Sequence, residues 1–538
     1  MLDRLNAVYP VRYTAMGVCV LGAVLGLLLW LVAGASVWWV LGFAALCWVG
    51  WRDMRQTKSA VRRNYPIIGN VRFMLEKIRP EMRQYFLESD TEATPFSRSQ
   101  RSLAYARAKS ETDKRPFGSQ LDMKADGHEW INHSMVPSHV ASHDFRLLVG
   151  GPACLQPYEA SVLNISAMSF GSLSANAVQA LNAGAKRGGF AHDTGEGSVS
   201  KYHRMHGGDL IWEIGSGYFG CRDDAGAFDP ERFATTASDP QVKMIEIKLS
   251  QGAKPGHGGV LPGPKVTPEI AEARGVPVGV DCVSPAAHSA FSTPLELMHF
   301  IERLRQLSGG KPVGFKLCIG HPWEWFGIVK AMLETGIAPD FIVVDGSEGG
   351  TGAAPLEFTD HVGSPLQEGL RLVHNTLVGV NLRSVIRIGA SGKIISAFDM
   401  ARAMALGADW CNSARGFMFA LGCIQGQACH TGHCPTGVTT QDPVRQRALV
   451  VPDKTVRVTN FHQNTLKALK ELVQAAGLKH PNQITAQHIV RRVRDNEVRL
   501  LEELLPTVAP GALLEDAASQ HLVFHYWSRA RADTFVLA

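Results

Sequence analysis

Between residues 155 and 413, short β-branched runs alternate with helix-length segments, and this alternation restricts the fold more than any other feature of the chain. The runs VLNISAMSF, KMIEIKLS, PVGFKLCI, DFIVVDG, VIRIGAS and DWCNSA read as strands. Helical patterns fall between them, over Ser174–Arg187, Trp323–Glu334 and Ile395–Leu406. Strands separated by such segments make βαβ units, and stacked βαβ units make a parallel sheet. Roughly eight strands in roughly 300 residues predict an α/β fold, a (β/α)8 TIM barrel with insertions. An open doubly wound sheet is the alternative.

The N-terminus obeys a different rule. From Tyr13 to Trp51 no residue is charged, a run of 39 positions. AMGVCVLGAVLGLLLWLVA is long enough to cross a bilayer, since about 20 residues of helix match its hydrocarbon core. Gly34, Ala35 and Ser36 offer a turn, and VWWVLGFAALCWVGW follows. That second run is short for a span, so it must borrow flanking residues or lie partly in the interface. Trp38, Trp39, Trp48 and Trp51 suit interfacial anchors, while Arg4 and Arg12 precede the pair and Arg52, Arg55, Lys58, Arg62 and Arg63 follow it. Positive charge on both flanks predicts a hairpin with both ends cytoplasmic, in an inner membrane crossed at about 13–33 and 37–51. A cleaved signal peptide fits badly, because the apolar region is too long and doubled.

The expected organisation is a membrane hairpin over 1–52, an extended arm over 53–150, the barrel over 151–455 and a helical tail over 456–538. The arm carries a short helix near VRFMLEKIRPEMRQYF; the tail contains LKALKELVQAAGL and HIVRRVRDNEVRLLEELL. A net charge of +5, from 54 basic and 49 acidic residues, points to no nucleic-acid partner. Ten cysteines scattered over 538 residues form no disulfide framework, and a reduced setting is expected.

Glycine-dense strand ends carry the candidate chemistry. RIGASGKI is followed one helix later by GADWCNSARG. In a (β/α)8 barrel a phosphate sits at the loops after the seventh and eighth strands, which places Gly389, Ser391, Gly392, Ser413, Ala414 and Arg415 around one. VVDGSEGGTG brings Asp345, Gly349 and Gly350 to another strand end, either as a plain loop or as backbone against a planar cofactor. NISAMSFGSLS would likewise present Ala167, Met168 and Ser169 to a ring. Lys316 is a charge inside an apolar strand, and it requires a buried partner: a flavin pyrimidine edge, or a structural ion pair. The segment EIKLSQGAKPGHGGVLPG holds Lys248, Gln251, Lys254 and His257, and reads either as a dicarboxylate site with two cationic heads or as a mobile surface loop.

GCIQGQACHTGHCPTG places Cys423, Cys429 and Cys434 close together. The C-x5-C-x4-C spacing is not that of a common zinc ribbon. Zinc with His430 or His433 as fourth ligand, a three-iron cluster on three thiolates, and no metal at all stay open on chemistry alone.

These segments, taken in order, decide the matter by resemblance. GCIQGQACHTGHCPTGVTTQ resembles the cluster-binding segment of the glutamate synthase large subunit. NISAMSFGSLS, HDTGEGS, KLSQGAKPGHGGVLPGPKV, DGSEGGTGAAP and GASGKIISAFDMARAMALGAD resemble its FMN-binding synthase domain, over about residues 155–450. The arm motifs NVRFMLEKIRPEMRQYF, ESDTEATPFSRSQRSL, PFGSQ and EWINHS resemble the stand-alone FMN-binding glutamate synthase family proteins. The resemblance implies FMN in a barrel beside a [3Fe–4S] cluster on Cys423, Cys429 and Cys434. It further implies a substrate loop at Lys248 and Lys254, with Glu196 near the flavin. The implied activity is that of an oxidoreductase acting on CH–NH2 donors: reductive amination of 2-oxoglutarate with ammonia to L-glutamate, electrons passing from a donor through the cluster to FMN. The family's N-terminal glutaminase cysteine, its large C-terminal domain and a GxGxxG loop have no counterpart here. Ammonia is therefore expected free or from a separate glutaminase subunit, and electrons from a carrier such as ferredoxin. His257 and Val260 stand where the large subunit more often has Glu and Gln. A related or N-substituted amino acid is thus the alternative substrate, and a non-catalytic membrane-anchored subunit the alternative role.

Overall fold

The computed structural model describes residues 10–91, 94–515 and 522–537, so Arg4 of the predicted charged flank lies outside the described residues. The chain divides into two compact units, Met1–Arg98 and Ser99–Ala538. The predicted arm is thereby split, its first half belonging to one unit and its second half to the other.

In the first unit, helices α1 (Thr14–Ala33) and α2 (Val37–Arg55) pack as an antiparallel pair. Gly34 ends α1 in the left-handed region at φ 62°, which glycine adopts without a Cβ clash. Glycines also set the approach of the two backbones: Gly22 faces Phe43, Gly26 faces Val40 and Gly50 faces Met16. A Cβ at Gly22 would lie 2.7 Å from the Phe43 ring. Leu21, Leu25, Leu28, Leu31, Trp38, Trp39 and Trp48 are exposed on the outer faces. Among the described residues one helix, Val11–Ala33, is long and apolar enough to cross a membrane, with 6% of its most apolar window buried. The second helix falls short of that standard because its last turn is WRDMR. Buried Asp53 in that turn accepts the Ile67 backbone N–H at 3.1 Å and the Asn70 side-chain amide, making a structural corner. Helix Ile68–Met82 then forms where the arm motif predicts one.

The second unit is a closed barrel of eight parallel strands: β1 (Leu163–Ile165), β2 (His192–Asp193), β3 (Leu210–Ile214), β4 (Val242–Lys248), β5 (Val313–Leu317), β6 (Phe341–Asp345), β7 (Arg387–Ser391) and β8 (Trp410–Ser413). β8 pairs with β1, Cys411 opposite Leu163, and closes the ring. The fold is the predicted α/β (β/α)8 barrel, and the open sheet is excluded. Between and after the strands run α3 (Ala175–Gly188), α4 (Pro230–Ala237), α5 (Pro294–Leu307), α6 (Pro322–Thr335), α7 (Leu366–Gly379), α8 (Ala397–Ala405) and α9 (Arg415–Leu421). Local sequence fixes their starts. Ser174 accepts the Ala177 N–H, while Thr293 with Glu296 and Ser396 with Asp399 form capping boxes.

Helix α10 (Val451–Ala475) packs on α3, α8 and α9. The close crossing with α3 needs Gly184, where a Cβ would meet Val458 at 2.4 Å. The tail departs from the helical expectation after this point. HIVRRVRDNEVRLLEELL is not a helix but a strand pair, Ile489–Arg494 with Glu497–Leu500, followed by one turn at Leu501–Leu504. Ile489 and Val490 are buried, Asp495 and Asn496 make the turn, and Glu129–Ile131 of the arm adds a third strand. Pairing with a distant strand has overridden the local helical pattern.

Candidate active site

The barrel interior is unusual for its charge. Such interiors are ordinarily filled by branched apolar side chains. Here one layer consists of Asp193 (β2), Glu213 (β3), Glu246 (β4) and Lys316 (β5), each at most 4% exposed. Sheet register puts them together, since Glu213 pairs with Glu246 and Glu246 with Gly314. A side chain at Gly314 would compete with Phe341 for space. One oxygen from each carboxylate lies within 4.8 Å of the others. The Lys316 ammonium contacts Glu213 and stands 3.1 Å from Glu246 Oε1. It is the cation that pairs with two of these acids.

Two like charges about 4 Å apart cost on the order of 4 kcal/mol at an effective dielectric near 20. The layer titrates accordingly. Burial pushes the Glu246 carboxyl up to about 7, with Glu213 adding to the rise and Lys316 opposing it. Burial likewise raises Asp193 well above the usual range, helped by Glu246. For Lys316, burial favours the neutral form, but Glu213, Glu246, Asp193 and Asp345 together hold it strongly protonated. Sequence reasoning singled out Lys316 and missed its three acids. Their signal was present: LIWEI and MIEIK each carry one acid in a buried run.

One layer higher, at the strand ends, Lys248 Nζ lies 3.0 Å from Glu196 Oε2. Burial pushes the Glu196 carboxyl up, but Lys248, Arg274 and Lys254 outweigh it and hold it below the usual range. Burial pushes the Lys254 ammonium down, against the pull of Glu196. Bare backbone leaves room for Glu196: a Cβ at Gly259 would stand 2.3 Å from Oε1, and one at Gly215 2.9 Å from Oε2. Glu196, Ser216, Lys248, Gln251, His257 and Gly259 line a polar cleft of about 320 Å³. The segment around Lys248 is therefore built into the site rather than a free surface loop. Lys254 is 7% exposed, and its Nζ donates to the Gly258 carbonyl at 3.4 Å. His257 is exposed, its ring edge-on to Phe358.

Lys248 is held from behind by a residue that motif reading overlooked. His288 Nε2 donates to the Lys248 carbonyl at 2.9 Å, and its Nδ1 accepts from Tyr218 Oη at 3.0 Å. Burial pushes the imidazole down to about 4, which keeps it neutral, and the Lys248 carbonyl, able only to accept, fixes the Nε2–H tautomer.

The remaining strand ends meet around the same mouth. Asp345 accepts from Ser391 Oγ and from the Gly252 N–H at 2.7 Å, tying β6, β7 and the loop after β4 together. Gly349 bonds back to Gly346, while Glu348 caps α7 through the Leu366 N–H at 2.9 Å. Gly392 follows β7 at φ 146°, and Ser413 Oγ donates to the Ile394 carbonyl. Ala414 leads into α9. Ser391 and Ser413 of the predicted phosphate set thus already spend their hydroxyl protons within the protein, and two further members are placed otherwise. Gly389 lies inside β7, where a Cβ would meet the Trp410 ring at 2.6 Å. The Arg415 guanidinium donates to the Thr351 carbonyl at 2.7 Å and reaches Cys429 Sγ at 3.9 Å. Ala167, Met168 and Ser169 form the loop after β1, resting on Gly195, where a Cβ would stand 2.6 Å from the Ser169 nitrogen. Arg274, missed in the sequence, donates to Ser169 Oγ and the Phe170 carbonyl.

After α9 the chain enters the cysteine loop. None of the ten cysteines is in a disulfide. Cys423, Cys429 and Cys434 line one cleft of about 270 Å³ with Met418, Ile424, Pro435 and Thr436. Neither His430 nor His433 is in that lining. The loop is pinned by Tyr105 Oη donating to the Cys423 carbonyl and Lys265 Nζ donating to the Cys429 carbonyl at 2.8 Å. Burial pushes the Cys423 thiol up. It acts the same way on Cys434, but hydrogen bonds from Thr436 and Thr439 prevail and bring that thiol down to about 7.

Comparison with known proteins adds the family. Residues 156–479, more than half of the chain, match the model described as the conserved region in glutamate synthase. The glutamate synthase large subunit-like protein YerD of Bacillus subtilis (strain 168) is 38% identical over 88% of this chain and 98% of its own length. An archaeal-type glutamate synthase [NADPH] of Thermotoga neapolitana is 36% identical over 58% of this chain, and the chain spans 59% of that protein. The glutamate synthase [NADPH] large chain of Bacillus subtilis (strain 168) is 34% identical over 58% of this chain but only 20% of its own length. Among solved structures, a flavocytochrome b2 mutant with pyruvate bound aligns over 82% of this chain with 11% identity and a TM-score of 0.40, too distant to bear on function.

Proposed function

The chain belongs to the glutamate synthase family, and on that premise we propose that it is an FMN-dependent oxidoreductase of CH–NH2 chemistry, forming L-glutamate from 2-oxoglutarate and ammonia. The observation that carries this reading is the cleft of Glu196, Lys248, Gln251 and His257 directly above the Lys316 layer. Lys248 in the cleft wall and buried Lys254, close enough to act on Glu196, leave net positive charge there, as a dicarboxylate requires.

The residues fit the cofactors that the family resemblance implies. For FMN, the strand ends offer bare backbone at Gly349, Gly350 and Gly392, hydroxyls at Ser391 and Ser413, and the Ala167–Met168–Ser169 loop. Ala414, Gln251 and Asp345 complete the set, and Lys316 is the buried cation suited to an electron-rich ring edge. For a [3Fe–4S] cluster, Cys423, Cys429 and Cys434 are three thiols on one cleft without a histidine in its lining, which favours iron over zinc. When bound, FMN supplies hydride chemistry and the cluster supplies single electrons to it.

The chain's own residues do the rest. Lys248 and Lys254 bind the substrate carboxylates, and Glu196 holds Lys248 in place. His288 fixes the strand end behind them. Arg415, reaching both Thr351 and Cys429, links the barrel mouth to the cysteine loop. Gly389 supports the mouth indirectly, by admitting Trp410.

The hairpin is the proposed membrane anchor. Arg12 stacks over Tyr13 and Arg52 and Arg55 over Trp48 and Trp51, all at the end opposite the Gly34 turn. That charge distribution favours both ends in the cytoplasm, with the catalytic unit there at the inner membrane. Ammonia would be free or delivered by a separate glutaminase, and electrons by an external carrier such as ferredoxin. The test is anaerobic incubation of the detergent-purified full chain with reduced donor, 2-oxoglutarate and ammonium. Glutamate formation supports the proposal. Flavin-loaded, iron-loaded protein that makes none, yet is reoxidised by another imino or oxo acid, moves the substrate to a related amino acid.

A further inference from the structure

We propose that Asp193, Glu213 and Glu246 hold one proton between them at neutral pH, around the Lys316 ammonium, as a built-in proton site at the floor of the catalytic cleft. The argument is one of charge and unpartnered atoms. Three carboxylates and one ammonium, fully ionised, would leave two net negative charges in a layer no more than 4% exposed. Lys316 serves Glu213 by direct contact and Glu246 Oε1 at 3.1 Å, while the Gly195 N–H serves Asp193 Oδ1 at 3.0 Å. That leaves Asp193 Oδ2 and both Glu246 oxygens buried without a hydrogen-bond donor, Oε1 being held by the ion pair alone. A buried acceptor without a donor is costly, and a proton shared between carboxyl groups supplies the donor. The other charged group facing Lys316 is Asp345 on β6, already satisfied by Ser391 and Gly252. The proton therefore belongs to the inner three, and its titration is a property of the set rather than of one residue.

The site sits where electrons arrive in the proposed reaction, which ties its use, though not its existence, to that reading. Were FMN held above the layer, the shared proton would be a store of positive charge beside Lys316, next to the chemistry the cofactor would supply.

Infrared spectroscopy of the full chain in detergent at pH 7 tests this, in H2O and D2O, with wild type, Glu246→Gln and Asp193→Asn. We expect a protonated-carboxyl band in wild type that shifts in D2O and is lost or displaced in both variants. A wild type without that band, or a band unchanged in both variants, overturns the proposal. Urea unfolding supplies a second readout, also usable if one variant is too unstable to concentrate. A carboxyl raised on folding contributes stability that is full below its unfolded pKa and is lost as pH rises through its folded value. Wild type should therefore lose stability relative to Glu246→Gln between pH about 4.5 and about 7. A pH-independent difference between the two overturns the proposal as well. Wild type that shows the band but binds no flavin keeps the proton site and sinks the cofactor reading instead.

Discussion

The charged layer inside the barrel and the cysteine loop after α9 both gather reactive groups, but they hold them in opposite ways. Asp193, Glu213, Glu246 and Lys316 sit on four consecutive strands, each fixed by ladder hydrogen bonds on both sides and shut off from water. Cys429 sits in irregular chain, half-buried, just after two glutamines at positive φ, Gln425 and Gln427, and beside exposed His430. Its position depends on a few side chains from elsewhere, Lys265 and Arg415 at Cys429 itself and Tyr105 at Cys423. The first arrangement protects charge by rigidity. The second leaves sulfur within reach of solvent and of a donor. Charge kept from water and sulfur kept near it make different demands on the backbone.

Lys316→Met should have the largest effect of any single change in the barrel. It leaves three buried carboxyls without their cation, a loss of about 3–5 kcal/mol for a broken buried pair. Urea unfolding measures it, and a loss under about 1 kcal/mol would mean the layer is wetter than described. Cys429→Ser is the counterpart in the loop. It should abolish the cluster's paramagnetic signal and iron content while flavin absorbance and the barrel's unfolding midpoint stay near wild type. A coupled collapse of the barrel would show that the two regions are not independent. Lys254→Ala, at the mouth between them, should raise KM for 2-oxoglutarate by about 10- to 100-fold, the worth of a charge-assisted hydrogen bond, with little change in stability. The smallest effect belongs to His288→Gln, about 1 kcal/mol. His288 is held neutral by burial, so its contribution is complete above its unfolded pKa near 6.5 and is lost as pH falls towards about 4. The variant should lack that acid sensitivity.

Legibility in the sequence follows the same divide. The barrel was readable because parallel strands buried on both faces leave near-continuous apolar runs, separated by helices with ordinary caps. The cysteine cleft was readable because its ligand types lie within one short segment. The acids around Lys316 were not, since only the strand register brings Glu213 opposite Glu246 and both beside β5. Gly389 looked like a phosphate glycine, but the space it leaves is taken by Trp410 from the neighbouring strand. The same reason explains residues 489–500, whose local pattern favoured helix until Glu129–Ile131, far away in sequence, offered a strand to pair with. His288 and Lys265 act through backbone carbonyls of other segments, contacts that no motif records.

The central claim is that three thiols of one loop hold iron next to a flavin-bearing barrel. Metal and flavin analysis of the full chain purified under nitrogen tests it most directly. The prediction is three iron atoms per FMN, with no zinc; iron absent, or zinc in its place, contradicts the account.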